Sequence, residues 1–206
     1  MEPKWLVWSR KLQALSQAGL TYSQNQFDLD RYRLIQAIAA EIAAEGSGIE
    51  VSRVNDLFIG DEGYMTPKVD VRGAVFKDDQ ILLVRETMDN GRWTVPGGWM
   101  DPGDGPGQAA EREVFEETGY VVKASRLAAA YDRERHGHPA YVYSIIKLFF
   151  ICELMGGSPR ESIETGESNY FHQDDLPELS LPRITVKEIN MLFQHHRKPE
   201  LPTEFD

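Results

Sequence analysis

The run Gly98–Tyr120, GWMDPGDGPGQAAEREVFEETGY, limits what this chain can become more than any other stretch. Pro106 suits the first turn of a helix, where its missing N–H would lack a partner anyway. Gly119 suits the left-handed position just past a helix end. The spacing therefore predicts a helix from about Pro106 to Thr118. At roughly 100° per residue, Glu113, Glu116 and Glu117 fall within an arc of about 100° and share one face. Ala109 leaves room one turn earlier, while Ala110 and Val114 sit to the side and can pack inward. Three carboxylates this close repel unless a cation or an arginine compensates them, and Arg112 is adjacent. Mg²⁺ and Mn²⁺ are hard ions that prefer oxygen ligands and bridge phosphate oxygens. The face reads as a divalent-metal platform.

A Glu-rich helix alone would simply meet water. The approach to this helix changes the balance. Trp93-Thr94-Val95 reads as a short strand, and Pro96-Gly97-Gly98 lets the backbone come close to an ion or a phosphate. Taken in order, the pattern is Gly98, five residues, Asp104, seven residues, Arg112-Glu113-Val114, one residue, Glu116-Glu117, one residue, Gly119-Tyr120. It resembles the Nudix box at every defining position but one. The family usually has Glu where this chain has Asp104, a change that keeps the charge and shortens the reach.

The resemblance implies an α+β fold, a Nudix-type α/β/α sandwich with a mixed sheet. It implies water attack on a diphosphate, with Mg²⁺ or Mn²⁺ held by Glu113, Glu116, Glu117 and the backbone carbonyl of Gly97. Arg112 would pair with a neighbouring carboxylate and fix its rotamer. A base from outside the box would orient the water. Glu161, Glu164 and Glu167 lie in the polar stretch Gly156–Tyr170, read as a loop, and Glu164 is the favoured candidate by its resemblance to the segment where relatives carry such a Glu. Arg85 and Arg135 are candidates for phosphate contact, with Arg133, His136 and His138 in the same loop as Arg135; each histidine reads first as a plain surface-loop residue.

Outside the box, the chain divides near residues 60–66. Before it, Trp5, Trp8, Leu12 and Leu15 recur at helical spacing, with Gly19 as the stop. Asp28 or Asp30 is the candidate cap of a second helix carrying Leu34, Ile35, Ile38 and Ile42, which Gly46 would close. Val51–Phe58 adds a short third. This helical domain, residues 1–62, is too small to bury both apolar faces alone and is expected to pack on residues 66–206 or on another subunit. After Thr66, Val69, Val71, Gly73 and Val75 alternate, Lys77–Gln80 makes a turn, and Ile81–Val84 forms a second strand. Val121–Tyr131 and Ala140–Leu154 flank the loop Asp132–Pro139, and Ile184–His196 reads as a final helix.

Ser16–Tyr22 and Phe27–Tyr32 resemble the helical extension of Nudix enzymes acting on nucleoside diphosphates linked to another moiety, a group including CDP-choline and ADP-ribose pyrophosphatases. That resemblance implies a homodimer with the extension lining the substrate site. It leaves two alternatives: a non-hydrolytic nucleotide- or sugar-binding regulator on the same scaffold, and a nucleoside triphosphate pyrophosphohydrolase. The balance of 22 basic against 33 acidic residues gives a net charge of −11, which argues against nonspecific nucleic-acid binding. The single cysteine, Cys152, excludes a disulfide within the chain and suits packing. No apolar stretch is long enough for a membrane span and no signal-peptide pattern opens the chain, so a cytoplasmic location is the expectation.

Overall fold

A computed structural model describes residues 3–59, 63–160 and 165–206. The chain forms two compact units: residues 1–67 together with 140–144, and residues 68–139 together with 145–206.

The first unit holds α1 (Lys4–Tyr22), α2 (Gln26–Ser47) and α3 (Val51–Ile59). Asn25, not Asp28 or Asp30, caps α2, its side chain accepting from the Phe27 N–H at 2.9 Å. Gly19 and Gly46 do not end their helices. They are contact points instead: a Cβ on Gly19 would lie 2.4 Å from the Tyr32 ring, and one on Gly46 would lie 2.1 Å from the Trp5 ring. Gly48, left-handed at φ 72°, closes α2. The buried face of α2 is Ala39, Ala40, Ala43 and Ala44, packed with Val54 and Phe58 of α3. On α1 the buried residues are Leu6, Ser9, Gln13, Ser16 and Gln17. Small side chains on α2 let the helices approach closely, and Ser9 Oγ donates to the Ala39 carbonyl at 2.8 Å. The expected apolar face is largely outward: Trp8, Leu15, Leu34 and Ile38 are exposed, as are Tyr22 and Phe27.

Residues 140–144 belong to this unit, so the expected strand from Ala140 starts five residues later. Arg10 fixes the segment by donating to the carbonyls of Tyr141, Val142 (3.1 Å) and Tyr143 (2.8 Å).

The second unit is built from β1 (Lys68–Lys77), β2 (Gln80–Glu86), β3 (Arg92–Thr94), β4 (Gly97–Trp99), α4 (Pro106–Thr118), β5 (Tyr120–Asp132), β6 (Ile145–Gly157), β7 (Thr165–Phe171), α5 (Val186–Arg197) and β8 (Glu204–Phe205). The mixed sheet runs β3-β2-β1-β6-β5-β8, with β4 on β1 and β7 on β2. β1 pairs parallel with β6, from Lys68 opposite Ile145 to Val75 opposite Cys152. Asp78 and Asp79, both at positive φ, make the tight β1–β2 turn. The polar stretch Gly156–Tyr170, a loop by its composition, departs from that expectation in its second half: Thr165–Phe171 is β7, which pairs antiparallel with β2.

Strand alternation sorts the core into two layers. Val71 packs with Ala109 and Ala110 of α4, and Val75 with Val114. Gly73 lies under the same helix, where a Cβ would come within 2.5 Å of Val114. On the opposite face Ala74 joins Phe149 with Ile189, Leu192 and Phe193 of α5. One helix on each face of a mixed sheet is the α/β/α sandwich expected from the sequence. Cys152 is buried beneath α4, and burial pushes its thiol up to about 12.

Candidate active site

α4 begins at Pro106 and ends at Thr118, with Gly119 left-handed at φ 76°, as the sequence reads. Its packing on β1 aims the carboxylate face at the turn between β3 and β4. Three consecutive residues of that turn are held by their backbones. The Val95 carbonyl accepts from Arg72 Nη1 at 3.1 Å, the Pro96 carbonyl accepts from the Gly73 N–H at 2.9 Å, and the Gly97 N–H donates to Glu117 Oε2 at 2.9 Å. Gly97 has φ 146°, and a Cβ there would lie 2.0 Å from the Val71 carbonyl oxygen. Only glycine fits. Gly98 faces Glu113, whose Oε2 would sit 2.8 Å from an added Cβ.

Arg112 is the organising cation. Its Nε donates to Asp104 Oδ2 at 3.2 Å, and its Nη1 donates to Glu113 Oε1 at 2.8 Å and to Glu116 Oε2 at 3.0 Å. Asp104, the one departure from the box, thus still reaches Arg112. Burial raises the Glu113 carboxyl, with Arg112 opposing. Burial also pushes Glu117 up, to about 8, and neither Arg72 nor the Gly97 N–H reverses it.

Among the described residues, no three Asp, Glu, His or Cys side chains converge as a ready-made ligand set. Arg112 bridges Glu113 and Glu116, while Glu117 turns to Gly97. A hard divalent cation nevertheless keeps water and takes one or two carboxylates plus substrate phosphate oxygens. The all-oxygen donors match that chemistry, and a cation would relieve the cost of holding Glu117 ionised in a buried place. The residues fit such an ion as a partial shell.

The remaining candidates fall elsewhere. Glu161 and Glu164 lie outside the described residues. Glu167 is on β7, 3.8 Å from Arg85. Arg85 also donates to the Gly91 carbonyl, and Arg135 pairs with Asp132 at 3.6 Å. The loop neighbours are structural. Arg133 is buried and donates to the carbonyls of Pro139 and Pro182. His138, read as a surface residue, has no exposed side-chain area; it bridges the Leu181 carbonyl and Glu188.

On the other side of β1 lies a set of buried charges that the local sequence pattern does not mark as a site. Asp70 Oδ1 and Oδ2 accept from Arg72 Nη2 at 2.7 Å and Nε at 3.1 Å, and Lys147 Nζ donates to the same carboxylate. Lys147 also donates to the Arg183 carbonyl at 2.7 Å, and Arg183 pairs with buried Glu86 at 3.1 Å. The one available signal was two opposite charges, Asp70 and Arg72, on the same face of an otherwise apolar strand.

Residues 66–190 match the NUDIX domain, and residues 3–58 match the UDP-X-like, N-terminal oligomerisation domain. YjhB of Bacillus subtilis (strain 168), a candidate ADP-ribose pyrophosphatase by its name, is 40% identical over 206 residues, covering 100% of this chain and 99% of that protein. The ADP-ribose pyrophosphatase of Methanocaldococcus jannaschii is 32% identical over 122 residues, 57% of this chain and 69% of that one. Among solved structures, a UDP-X diphosphatase matches at TM-score 0.64 and 28% identity, covering 98% of each chain. An ADP-ribose pyrophosphatase from Streptococcus suis 89-1591 matches at TM-score 0.63 and 37% identity, over 68% of this chain and 100% of that one. A Nudix match across most of the chain, and a relative similar from end to end, settle the assignment: the chain belongs to the Nudix family of hydrolases.

Proposed function

We propose that this Nudix pyrophosphatase hydrolyses the diphosphate of a nucleoside diphosphate linked to a second moiety, with ADP-ribose as the leading substrate and CDP-choline next. The products are a nucleoside monophosphate and a second phosphomonoester. The observation that supports the reading is that Glu117 accepts from the Gly97 amide and Glu113 faces Gly98, while Arg112 ties Glu113 to Glu116 on the same helix face. The names of the full-length relative and of the Streptococcus structure support the ADP-ribose ranking.

Nudix hydrolases generally use divalent metal ions, and Mg²⁺ or Mn²⁺ suits these oxygen donors. Glu113, Glu116, Glu117 and the Gly97 carbonyl would hold it. Once bound, the ion neutralises phosphate charge and acidifies water. The chain's own residues do the positioning. Arg112 locks two carboxylate rotamers, and the Gly97 amide aims Glu117. Glu164 is proposed to orient the attacking water, and Arg85 and Arg135 to meet outer phosphate or ribose oxygens.

Residues 1–62 are proposed to form a homodimer and to help line the substrate site. Trp8, Leu15 and Tyr22 recur every seven residues on α1, and Phe27, Leu34 and Ile38 follow a matching stripe on α2; all six are exposed. Such a stripe suits a second copy of itself, and the family description of an oligomerisation domain agrees. Among the described residues no helix is long and apolar enough to cross a membrane; a cytoplasmic enzyme is the corresponding proposal.

Steady-state kinetics with ADP-ribose, CDP-choline, a UDP-sugar and a nucleoside triphosphate test the ranking. The highest kcat/KM should fall on ADP-ribose. A preference for the triphosphate, with pyrophosphate released, would overturn it.

A further inference from the structure

Arg72 and Asp70 lie on the face of β1 shared with Ala74, turned away from α4, yet both are buried. A buried arginine is costly unless every donor finds a partner. Arg72 finds them in Asp70, through a two-pronged contact, and in the Val95 carbonyl, with Thr94 Oγ1 at the margin of reach at 3.5 Å. Asp70 is fixed in turn by Lys147, its direct partner in the parallel β1–β6 register. The guanidinium therefore stands on a rigid base within the sheet.

What it holds is the β3–β4 turn. Val95, Pro96 and Gly97 are fixed by the strand backbone at Gly73, by Glu117 and by the Arg72 side chain, with Thr94 Oγ1 at 3.3 Å as a second donor to the Val95 carbonyl and Gly97 paired with Arg72 in the β1–β4 ladder. Arg72 also supplies positive charge close to Glu117, and its stem passes beside Gly97, with Cδ 3.0 Å from where a Cβ would be. Glu117 and Gly97 are each other's hydrogen-bond partners. A movement of the turn thus moves the carboxylate with it.

We propose that Arg72 is a positioning residue for the cation site: supported by Asp70 and Lys147, it fixes the Val95–Gly97 turn and so presets Gly97 and Glu117 before any cation arrives. This rests on the reading of Glu113, Glu116 and Glu117 as the metal platform. A lysine cannot replace Arg72, because a single ammonium cannot span Asp70 and the Val95 carbonyl in the fixed fork geometry of a guanidinium.

The test uses the full-length protein with Arg72→Gln, Arg72→Lys, Asp70→Asn and Glu117→Gln. Mn²⁺ binding is read from the spectrum of free Mn²⁺ by electron paramagnetic resonance, without substrate or turnover. Amide hydrogen exchange is followed across residues 95–99. Loss of outer support for metal ligands commonly weakens affinity by about 10–100-fold, and that range is expected for Arg72→Gln, with faster exchange in the turn. Arg72→Lys should lie nearer to Arg72→Gln than to wild type. Should Arg72→Gln fail to fold, Arg72→Lys and Asp70→Asn carry the same readouts. Wild-type Mn²⁺ affinity and turn exchange in the folded variants would overturn the proposal, whatever their melting temperatures. Glu117→Gln separates the two layers: normal Mn²⁺ binding there refutes the platform itself, whereas loss there with intact Arg72 variants refutes only the positioning role.

Discussion

Gly97→Ala measures how tightly the fold constrains the site. The substitution adds one methyl group at φ 146°, a region that side-chain-bearing residues avoid, at a cost of about 1–3 kcal/mol. The methyl would lie 2.0 Å from the Val71 carbonyl oxygen and 2.8 Å from the Arg72 Cα, both backbone atoms. Ordinary contacts are about 3.5 Å, so β4 must move off β1 by on the order of 1 Å. Misplacing catalytic groups by about that much costs roughly 100-fold in rate. The expected outcome is a folded protein with its melting temperature lowered by roughly 5–10 °C and kcat reduced by about 100-fold or more. Gly98→Ala is the matched control, because its methyl meets the movable carboxylate of Glu113 and not backbone. It should disturb activity with little change in melting. Circular dichroism melts and steady-state assays on both variants decide it. A Gly97→Ala enzyme with wild-type melting and rate would refute the argument that the β1–β4 pairing sets the catalytic geometry.

Other outcomes follow from the same contacts. Glu116→Gln and Glu117→Gln should each lower turnover by orders of magnitude with the fold intact; near-normal rates in both, measured beside their melts, would remove the carboxylates from the mechanism. Trp8→Glu with Leu34→Glu should convert a dimer to a monomer in light scattering after gel filtration; an unchanged mass would clear those residues from the interface. Burial alone would raise Asp70, but Arg72 and Lys147 more than reverse it and hold the carboxyl at about 2. Its folded value is below its unfolded one of 3.8, so its stabilisation, on the order of 2 kcal/mol, is complete above about pH 5 and is lost as pH falls through 3.8 toward 2. Denaturant titrations across that window should show a shallower acid loss in Asp70→Asn; identical slopes would contradict the assignment.

The helix of the box was legible because its signals are local. Pro106, the carboxylate spacing and Gly119 give both ends and the active face without any tertiary knowledge. The N-terminal helices were legible as helices but not in their packing. Tryptophan and leucine look like core, yet the alanines of α2 make the closer contact with α1, and Trp8 and Leu15 are left outside. Gly19 and Gly46 look like stops, and only the rings of Tyr32 and Trp5 across the helix pair explain them. Nor could local pattern give the Asp70–Arg72–Lys147 network. Asp70 and Arg72 alternate with valines as the wet face of an amphipathic strand would. Their burial depends on Lys147, placed opposite Asp70 only by the parallel pairing of β1 with β6. The segment 140–144 reads as strand because its residues are apolar; Arg10, more than a hundred positions earlier in sequence, holds its carbonyls.

The central claim is a diphosphate cleaved at carboxylates gathered on α4, and phosphorus-31 NMR of ADP-ribose incubated with the enzyme tests it most directly. With Mg²⁺ added, or with Mn²⁺ added and sequestered by excess chelator before the spectrum is taken, the two diphosphate resonances should give way to two phosphomonoester resonances in equal amounts, and the conversion should not occur with chelator present from the start or with Glu117→Gln. Persistence of the diphosphate signals in the wild-type reaction, or conversion undiminished in Glu117→Gln, would contradict the account.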